Sequence, residues 1–378
     1  MNNKKQYIID VLIGLGFALS IILFVVVFVN SKAVEVNSKV YVQYEPSSIV
    51  ITENESQTLV ESIDKSRKSV VEINATLPNG TSAGSGVIYG TDGNVTYIVT
   101  NFHVIENATS FKVILYDGTI IEDVQLVGGD DEEDIAVLML KGSNYKLATL
   151  REITEESTIK LGETVFAIGN PLGKLGGSVT KGIISCLNRE ISIDNKVMNL
   201  MQTDVAINSG NSGGGLFDIN GRLIGIVNAK VSATGVEGIA FAISIDNASK
   251  VANALIETHT HNATTLEVTK TGYIEGRIDL GFTATYTTLM QGFFVTDTGL
   301  FVAEISTSSN AYQQGVRVYD KITSITYKGE TIQMTNQSIY NSLIKTLSVG
   351  DELTLNIVRG SSTYNITITA MQKVYSIS

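Results

Sequence analysis

The sequence contains very little cysteine, proline and histidine. Its 378 residues include one Cys, three Pro and three His. A single thiol excludes an intramolecular disulfide framework, and so few Cys and His exclude a zinc-finger array. Cationic charge is also scarce, since 27 Lys and Arg against 38 Asp and Glu leave a net charge of -11, which argues against nucleic acid as a partner. The hydrophobic share of 43% excludes a disordered chain, and the length suggests two domains.

An uncharged apolar run, 11–29, lies near the N-terminus. At about 1.5 Å per residue, a helix of this length nearly matches the roughly 30 Å hydrocarbon core of a bilayer. Lys4 and Lys5 precede the run, so the positive-inside rule places the N-terminus in the cytoplasm and the rest outside. A cleavable signal peptide is the alternative, but its apolar region is usually shorter, which favours an uncleaved anchor. The extracytoplasmic body has one thiol, Cys186, which is more typical of a bacterial protein.

The chain divides into five predicted segments. A cytoplasmic stub and membrane anchor (1–33) are followed by a spacer with a short helix (34–69). Segment 70–258 consists of short β-branched runs cut by Gly, Asn and Asp, which predicts an all-β barrel or sandwich that ends in a helix. A polar linker (259–271) leads to an α+β unit (272–373). The predicted fold class is therefore mainly β.

Three residues far apart in the chain carry the chemistry of a serine nucleophile. His103 follows the run YIVT, Asp134 opens DIAVLML, and Ser212 lies within GNSGG. Acyl transfer by serine needs a hydroxyl, an imidazole that takes its proton and a carboxylate that orients the imidazole. Flanking glycines let backbone N–H groups turn towards an oxyanion. The order His, Asp, Ser on an all-β chain is that of a chymotrypsin-like double barrel, so we predict a catalytic triad.

The sequence blocks around these residues resemble the HtrA (Deg) family of serine proteases. The blocks are SAGSGVIYG, YIVTNFHVI, DEEDIAVLML, VFAIGNPLG, MQTDVAINSGNSGGGLFD and GRLIGIVNA, all in the family order. The resemblance implies a trypsin-like double β-barrel with His103 as general base, Asp134 as its orienting carboxylate and Ser212 as nucleophile. It also implies an oxyanion hole made by the N–H groups of Gly210 and Ser212, with Asn211 shaping the loop between them.

Two positions beside the nucleophile depart from the family pattern. Ser209 and Gly215 stand where the family usually has Pro. Because Ser and Gly restrict φ less than Pro, we expect a softer oxyanion loop.

The residues just before the oxyanion loop are expected to form the primary specificity pocket. Ala206, Ile207 and Asn208 bring no carboxylate to its floor, so a basic P1 side chain would be costly to bury and a small or medium aliphatic P1 is predicted. The strand 227–229 (Val227, Asn228, Ala229) is interpreted as a wall of this pocket that pairs with extended substrate, and 230–237 as the loop that lines the pocket. An ordinary barrel strand is the alternative for 227–229.

The C-terminal unit resembles the PDZ domains of such proteases. Its segment RIDLGF contains the expected carboxylate-binding loop, formed by Asp279, Leu280, Gly281 and Phe282. A PDZ domain binds the C-terminal strand of a partner along a sheet edge. Tyr319 stands where a Gly is usual and Asn310 where a Pro is common, which puts the ligand preference in question. The alternative is a PDZ-like lid that packs on the protease and binds no free peptide.

Three further features favour structural interpretations over binding sites. His259 and His261 lie two apart without a third ligand nearby, which favours a solvated linker over a metal site. The acidic run 130–133 lacks EF-hand spacing, which favours a solvated loop over a calcium site. Cys186 is interpreted as buried filler rather than a redox sensor.

The sequence therefore predicts a membrane-anchored extracytoplasmic serine endopeptidase that degrades unfolded or misfolded polypeptides without a metal or cofactor. C-terminal peptides at the PDZ-like unit are expected as partners, and the resemblance implies a homotrimer. The alternatives are a non-catalytic PDZ-bearing chaperone or scaffold, and a narrow regulatory protease that acts on one membrane partner.

Overall fold

The structure is a computed structural model that describes residues 40–45, 55–154, 157–169, 177–193, 196–208, 210–229, 238–291 and 294–375. The predicted membrane anchor at 11–29 lies outside these ranges. Within them, no helix combines the length and the apolar character needed to cross a membrane.

One strand and one helix precede the first barrel in the chain. These two are β1 (Tyr41–Glu45) and α1 (Glu55–Ser66). The barrel consists of β2 (Val70–Leu77), β3 (Gly80–Asp92), β4 (Val95–Thr100), α2 (Phe102–Ile105), β5 (Ser110–Ile114), β6 (Ile120–Ile121), β7 (Val124–Asp130) and β8 (Ile135–Lys141). Its strands pair in the order β6-β5-β2-β3-β4-β8-β7. Both faces of β8 are buried: alternate residues from Ile135 pack into a core shared with the second barrel, and those from Ala136 into the first barrel's own interior.

The second barrel is a closed ring. Its strands are β9 (Thr149–Arg151), β10 (Thr164–Gly169), β11 (Ser178–Ile193), β12 (Lys196–Thr203), β13 (Gly215–Asp218), β14 (Arg222–Asn228) and β15 (Ala240–Ser244). Strands β10, β11, β12, β15, β14 and β13 pair in that order, and β13 returns to β10. Strand β1 bonds β3 of the first barrel and β9 beside the second, so it joins the two. The predicted mainly β double barrel is confirmed.

The predicted solvated linker at 259–271 is wrong in its first residues. Helix α3 (Ile245–Thr258) is followed by a short hairpin of β16 (Thr260–His261) and β17 (Val268–Lys270). His259 is 0% exposed and His261 is 4% exposed. The two rings stack at 5.3 Å between centroids, and the edge of Tyr97 meets His259. The polar sequence THTHNATT concealed this burial because its composition does not show that these two imidazoles face the barrel.

The C-terminal unit is built on a six-stranded antiparallel sheet with two helices. Its elements are β18 (Ile278–Asp279), β19 (Phe282–Gln291), β20 (Phe294–Ile305), α4 (Asn310–Gln313), β21 (Lys321–Tyr327), β22 (Glu330–Gln333), α5 (Gln337–Ile344), β23 (Glu352–Arg359), β24 (Ser362–Thr369) and β25 (Met371–Gln372). The sheet order is β19-β20-β21-β23-β24, with β22 on β21 and β18 paired to β25. Strand β19 is therefore an edge, and the apolar side of α5 covers the core through Tyr340 and Leu343. Tyr319 has a φ of +68°, the left-handed conformation that a Gly would adopt without strain.

Candidate active site

The structure brings His103, Asp134 and Ser212 together between the two barrels. Nδ1 of His103 lies 2.7 Å from Oδ2 of Asp134, and Nε2 lies 2.9 Å from Oγ of Ser212. The backbone N–H of His103 also donates to Oδ1 of Asp134, at 2.9 Å. When the Nδ1–H group of His103 donates a hydrogen bond to the Asp134 carboxylate, Nε2 carries no proton and faces the serine hydroxyl as an acceptor. This arrangement can remove the proton from the hydroxyl as it attacks a carbonyl.

Asp134 is held by polar groups from two different segments of the chain. Its φ of +52° is rare for a residue other than glycine, and two bonds to its carbonyl oxygen fix that conformation. The donors are the backbone N–H of Phe102 at 3.1 Å and Nδ2 of Asn101 at 3.0 Å. On the carboxylate, Nδ2 of Asn228 donates to Oδ2 at 2.9 Å. Asn228 thus orients Asp134, whereas the sequence placed it in the wall of the specificity pocket.

The acidic run before Asp134 is paired with two cations of the C-terminal unit, so the prediction of a solvated loop is wrong. The guanidinium of Arg277 contacts the carboxylates of Asp130, at 3.2 Å, and Glu132. Nζ of Lys373 lies 2.5 Å from Asp131. Burial raises the pKa of Glu133, and the Asp130 and Glu132 carboxylates add to the rise while Arg277 opposes it. A charged run beside the catalytic carboxylate is stable here because cations arrive from a distant part of the chain.

The element that carries His103 also meets the C-terminal unit. The ring of Tyr375 packs edge-on against Phe102 at 4.6 Å between centroids. Its hydroxyl accepts from the backbone N–H of Asn107 at 2.7 Å. Both the His103 and the Asp134 segments therefore have neighbours from beyond residue 270. We refer to Arg277, Lys373 and Tyr375 as the latch.

The loop that carries Ser212 is tied to the first barrel by Ser85. The Ser85 hydroxyl donates to the carbonyl of Gly210 at 2.6 Å, and its N–H donates to the carbonyl of Ser212 at 2.7 Å. The Asn211 carbonyl accepts from Gly214 N–H at 2.9 Å, so the N–H of Ser212, in the same peptide group, points the other way. Among the described residues, neither Gly210 nor Ser212 donates its N–H to a protein acceptor. Both N–H groups are thus available to an oxyanion.

Gly215 does not loosen this loop as the sequence suggested. It lies at the start of β13 and pairs with Ile168 and Ile226. A Cβ there would come within 2.4 Å of the ring of Phe217, so packing requires glycine at this position. Ser209, the other departure, lies outside the described residues.

The predicted specificity residues fall into two groups. Ala206 and Asn208 are exposed and Ile207 is half-buried, beside the serine loop. Val227 is fully buried in the second barrel's core, and its N–H and carbonyl already bond Gly214 and Gly213. The prediction that its side chain lines a pocket is therefore wrong. The N–H of Ala229 donates to Oγ of Ser212 at 3.3 Å, and the predicted loop 230–237 lies outside the described residues.

Sequence reasoning missed Ser85, Asn228 as a partner of Asp134, and the latch. The signal for Ser85 was present, since it lies in the block SAGSGVIYG that carries the family resemblance. The Asn228–Asp134 bond joins residues 94 positions apart and no local pattern marks it. The remaining predicted residues, Asp279 to Phe282, lie in the C-terminal unit, away from the triad.

Comparisons with known proteins agree with this geometry. Residues 84–226 match the model of the trypsin-like peptidase domain. The serine protease Do-like HtrB of Bacillus subtilis is 36% identical over 302 residues, which cover 78% of this chain and 63% of that protein. The periplasmic serine endoprotease DegP of Escherichia coli is 34% identical over 292 residues, covering 76% of this chain and 57% of DegP. The chain thus spans less than two thirds of the length of these relatives.

A solved structure agrees as well. The HtrA-type protease AlgW with tripeptide aligns with a TM-score of 0.50 at 29% identity, over 83% of this chain and 97% of AlgW.

Proposed function

The chain is homologous to the HtrA/DegP serine proteases and contains a trypsin-like peptidase domain, and we propose that it hydrolyses peptide bonds through an acyl-enzyme on Ser212. The observation that carries this proposal is the relay from Asp134 through His103 to Ser212, at 2.7 and 2.9 Å. Those are hydrogen-bond distances for a base and a nucleophile.

In the proposed mechanism, Oγ of Ser212 attacks the scissile carbonyl carbon as Nε2 of His103 takes the hydroxyl proton. Asp134 stabilises the resulting imidazolium and keeps the ring oriented. The N–H groups of Gly210 and Ser212 bind the oxyanion of the tetrahedral intermediate. As this collapses, the imidazolium gives its proton to the leaving amine. A water activated by His103 then hydrolyses the ester and restores Ser212.

The proposed substrates are unfolded or misfolded polypeptides, which expose the extended backbone that such a site needs. Ala206, Ile207 and Asn208 support a small or medium aliphatic P1 side chain, because none of them is a carboxylate that could pair with a buried cation.

We propose that the enzyme works outside the cytoplasm, held to the cell membrane by residues 11–29 as a single-pass anchor. The apolar run supports the anchor, and the name of the E. coli relative supports the compartment, since that protein is called periplasmic. A homotrimer is also proposed from the resemblance, and analytical ultracentrifugation of the full chain would test it.

We further propose that the C-terminal unit is a PDZ-like module for C-terminal peptides. Strand β19 is an edge of the sheet, and it begins at Phe282, the last residue of the loop of Asp279 to Phe282. In that loop Gly281 has a φ of +77°, which turns successive N–H groups towards one side.

A fluorophosphonate probe and unfolded casein test the peptidase. The full chain should be labelled and should degrade casein, and Ser212→Ala should do neither, a loss of at least about a thousandfold in kcat. Ser308→Ala, a serine of the C-terminal unit, should behave as the wild type. If the wild type and Ser212→Ala are equally inert and unlabelled, the peptidase proposal fails and a non-catalytic scaffold is favoured.

A further inference from the structure

One side chain of the C-terminal unit occupies hydrogen-bonding groups along the edge of β19 that no strand pairs with. Oε1 of Gln337, the first residue of α5, accepts from the backbone N–H of Tyr286 at 2.7 Å. Nε2 of the same amide donates to the carbonyl of Ala284 at 3.3 Å. A second contact of Nε2, to Oδ1 of Asn341 at 3.0 Å, braces the amide from the next turn of the helix.

The groups that Gln337 binds are those an added strand would need. Residues of an antiparallel edge strand alternate, so that every second residue directs both its N–H and its carbonyl outwards. Tyr286 and Ala284 are two apart and both direct groups towards α5, away from β20. The Gln337 side chain has one donor and one acceptor on one planar amide, the same groups as a peptide bond. It therefore stands where the backbone of an incoming strand would bond.

The loop before β19 is occupied in the same manner. Oδ1 of Asp279 accepts from the backbone N–H of Gly281 at 2.6 Å. The carbonyl of Gly281 is already bonded to Ser306 N–H, at 3.0 Å, and this fixes the loop's orientation. The Asp279 carboxylate thus lies on the loop, and the Gln337 amide lies further along the edge, at Ala284 and Tyr286. Together these are the terminal and internal polar groups of a peptide that ends in a free carboxylate.

We propose that Asp279 and Gln337 are built-in competitors that close the β19 groove, so that a C-terminal peptide must displace Asp279 from the loop and, where it is long enough to reach Tyr286, must displace Gln337 as well. This proposal rests on the proposed PDZ-like function of the unit. It also differs from a permanently closed lid, since each competitor makes hydrogen bonds that a better-placed ligand can replace. Asp279 is exposed and Gln337 is half-buried, so both can swing away without unpacking the core.

The gain in peptide binding that follows removal of each competitor depends on peptide length. A strand with its carboxylate on the loop runs antiparallel to β19, at about 3.3 Å per residue. Its third residue from the end lies opposite Ala284, and only its fifth reaches Tyr286. Removal of Asp279's carboxylate should therefore help peptides of any length, whereas removal of Gln337's amide should help long peptides most.

The first test measures the competitors without any ligand. Hydrogen–deuterium exchange of the full chain, read at the amides of Tyr286 and Gly281, should be slow in the wild type. Gln337→Met keeps the side chain's length but removes its amide, and it should speed exchange at Tyr286 by roughly tenfold and leave Gly281 unchanged. Asp279→Ala should speed exchange at Gly281 and leave exchange at Tyr286 unchanged. Ser338→Ala, the exposed neighbour of Gln337, should alter neither. Unchanged exchange at Tyr286 in Gln337→Met would overturn the proposal.

The second test uses two peptide libraries with free C-terminal carboxylates and random sequences, three and eight residues long, with amidated libraries as controls. Gln337→Met should retain octapeptides roughly tenfold better than the wild type and tripeptides less than about twofold better. Asp279→Ala should improve both. Equal retention by the wild type and both variants would refute competition. No carboxylate-dependent retention by any variant would instead refute the PDZ-like function, even if the exchange results stood.

Discussion

The peptidase unit and the C-terminal unit hold their polar groups in opposite ways. Asp134 and Ser212 are 6% and 7% exposed, and their partners come from strands and loops scattered across both barrels. At the β19 groove, the exposed Asp279 bonds a residue two positions away, and the half-buried Gln337 bonds the strand edge from the start of a helix. Buried bonds between distant segments can break only if packing breaks. Bonds made by side chains that reach the surface can be exchanged for those of a ligand. The first arrangement suits catalysis, which needs fixed geometry, and the second suits regulated binding.

The largest expected effect on activity comes from removing a tether of the buried peptidase site, at Ser85. Ser85→Ala removes the donor to the partly buried Gly210 carbonyl, so the oxyanion loop loses a tether to the first barrel. We expect kcat on a peptide substrate to fall roughly tenfold to a hundredfold with KM within about twofold.

Affinity for a peptide boronate, which resembles the tetrahedral intermediate, should fall in parallel. Ser82→Ala, on the same strand but half-buried and outside the loop, is the matched control. A rise in KM at unchanged kcat would show that Ser85 does not position the loop.

The next effect concerns His259, at the junction of the two units. Burial lowers its pKa to about 4, against 6.5 for an ordinary histidine. Between pH 6.5 and 4 the unfolded chain binds a proton here that the folded chain does not, so stability falls as pH falls through this window. A shift of that size corresponds to a loss of roughly 3 kcal/mol by pH 4.

Urea unfolding at a series of pH values measures this loss. His259→Gln should have a smaller slope than the wild type below pH 6.5 and the same slope above pH 7, where neither state binds the proton. Parallel curves for the two proteins across the whole range would contradict the assignment to His259.

The smallest expected effect concerns the stability of the C-terminal unit, where the backbone conformation of one residue is strained. Tyr319 is 76% exposed and has a left-handed φ of +68°. Tyr319→Gly should stabilise the C-terminal unit by up to about 1 kcal/mol, because glycine adopts this conformation without strain. Val318→Gly, at a residue without positive φ, should destabilise it by a similar amount. Thermal unfolding of both variants measures the difference, and a loss of stability in Tyr319→Gly would refute the strain argument.

The sequence predicted best where chemistry dictates residue type over a short span. The triad could be read from three motifs because a serine nucleophile needs a base, a carboxylate and flexible glycines, and the barrels could be read from short strands cut by turns. The structure added contacts between residues that are far apart in the sequence. Asn228 looked like a pocket residue because nothing local showed that it faces Asp134. The acidic run looked solvated because its cations, Arg277 and Lys373, lie more than 140 positions further along the chain.

Burial of polar residues was the other failure. His259 and His261 lie in a stretch whose composition is that of a linker, yet they pack on the barrel and bond one another and the end of α3. Composition averages over a segment, whereas burial depends on which single side chains face a core.

The latch has a consequence for the order in which the molecule is made. Tyr375 bonds Asn107 across 268 positions of sequence, so the ribosome completes the His103 and Asp134 segments long before it synthesises their last neighbours. Until Arg277 and Lys373 emerge, the carboxylates of Asp130 to Glu133 repel one another beside the catalytic aspartate without a counter-ion from the C-terminal unit. A nascent chain therefore carries both barrels before it carries the charges that complete them, and the peptidase reaches its final electrostatic environment only when translation has passed residue 375.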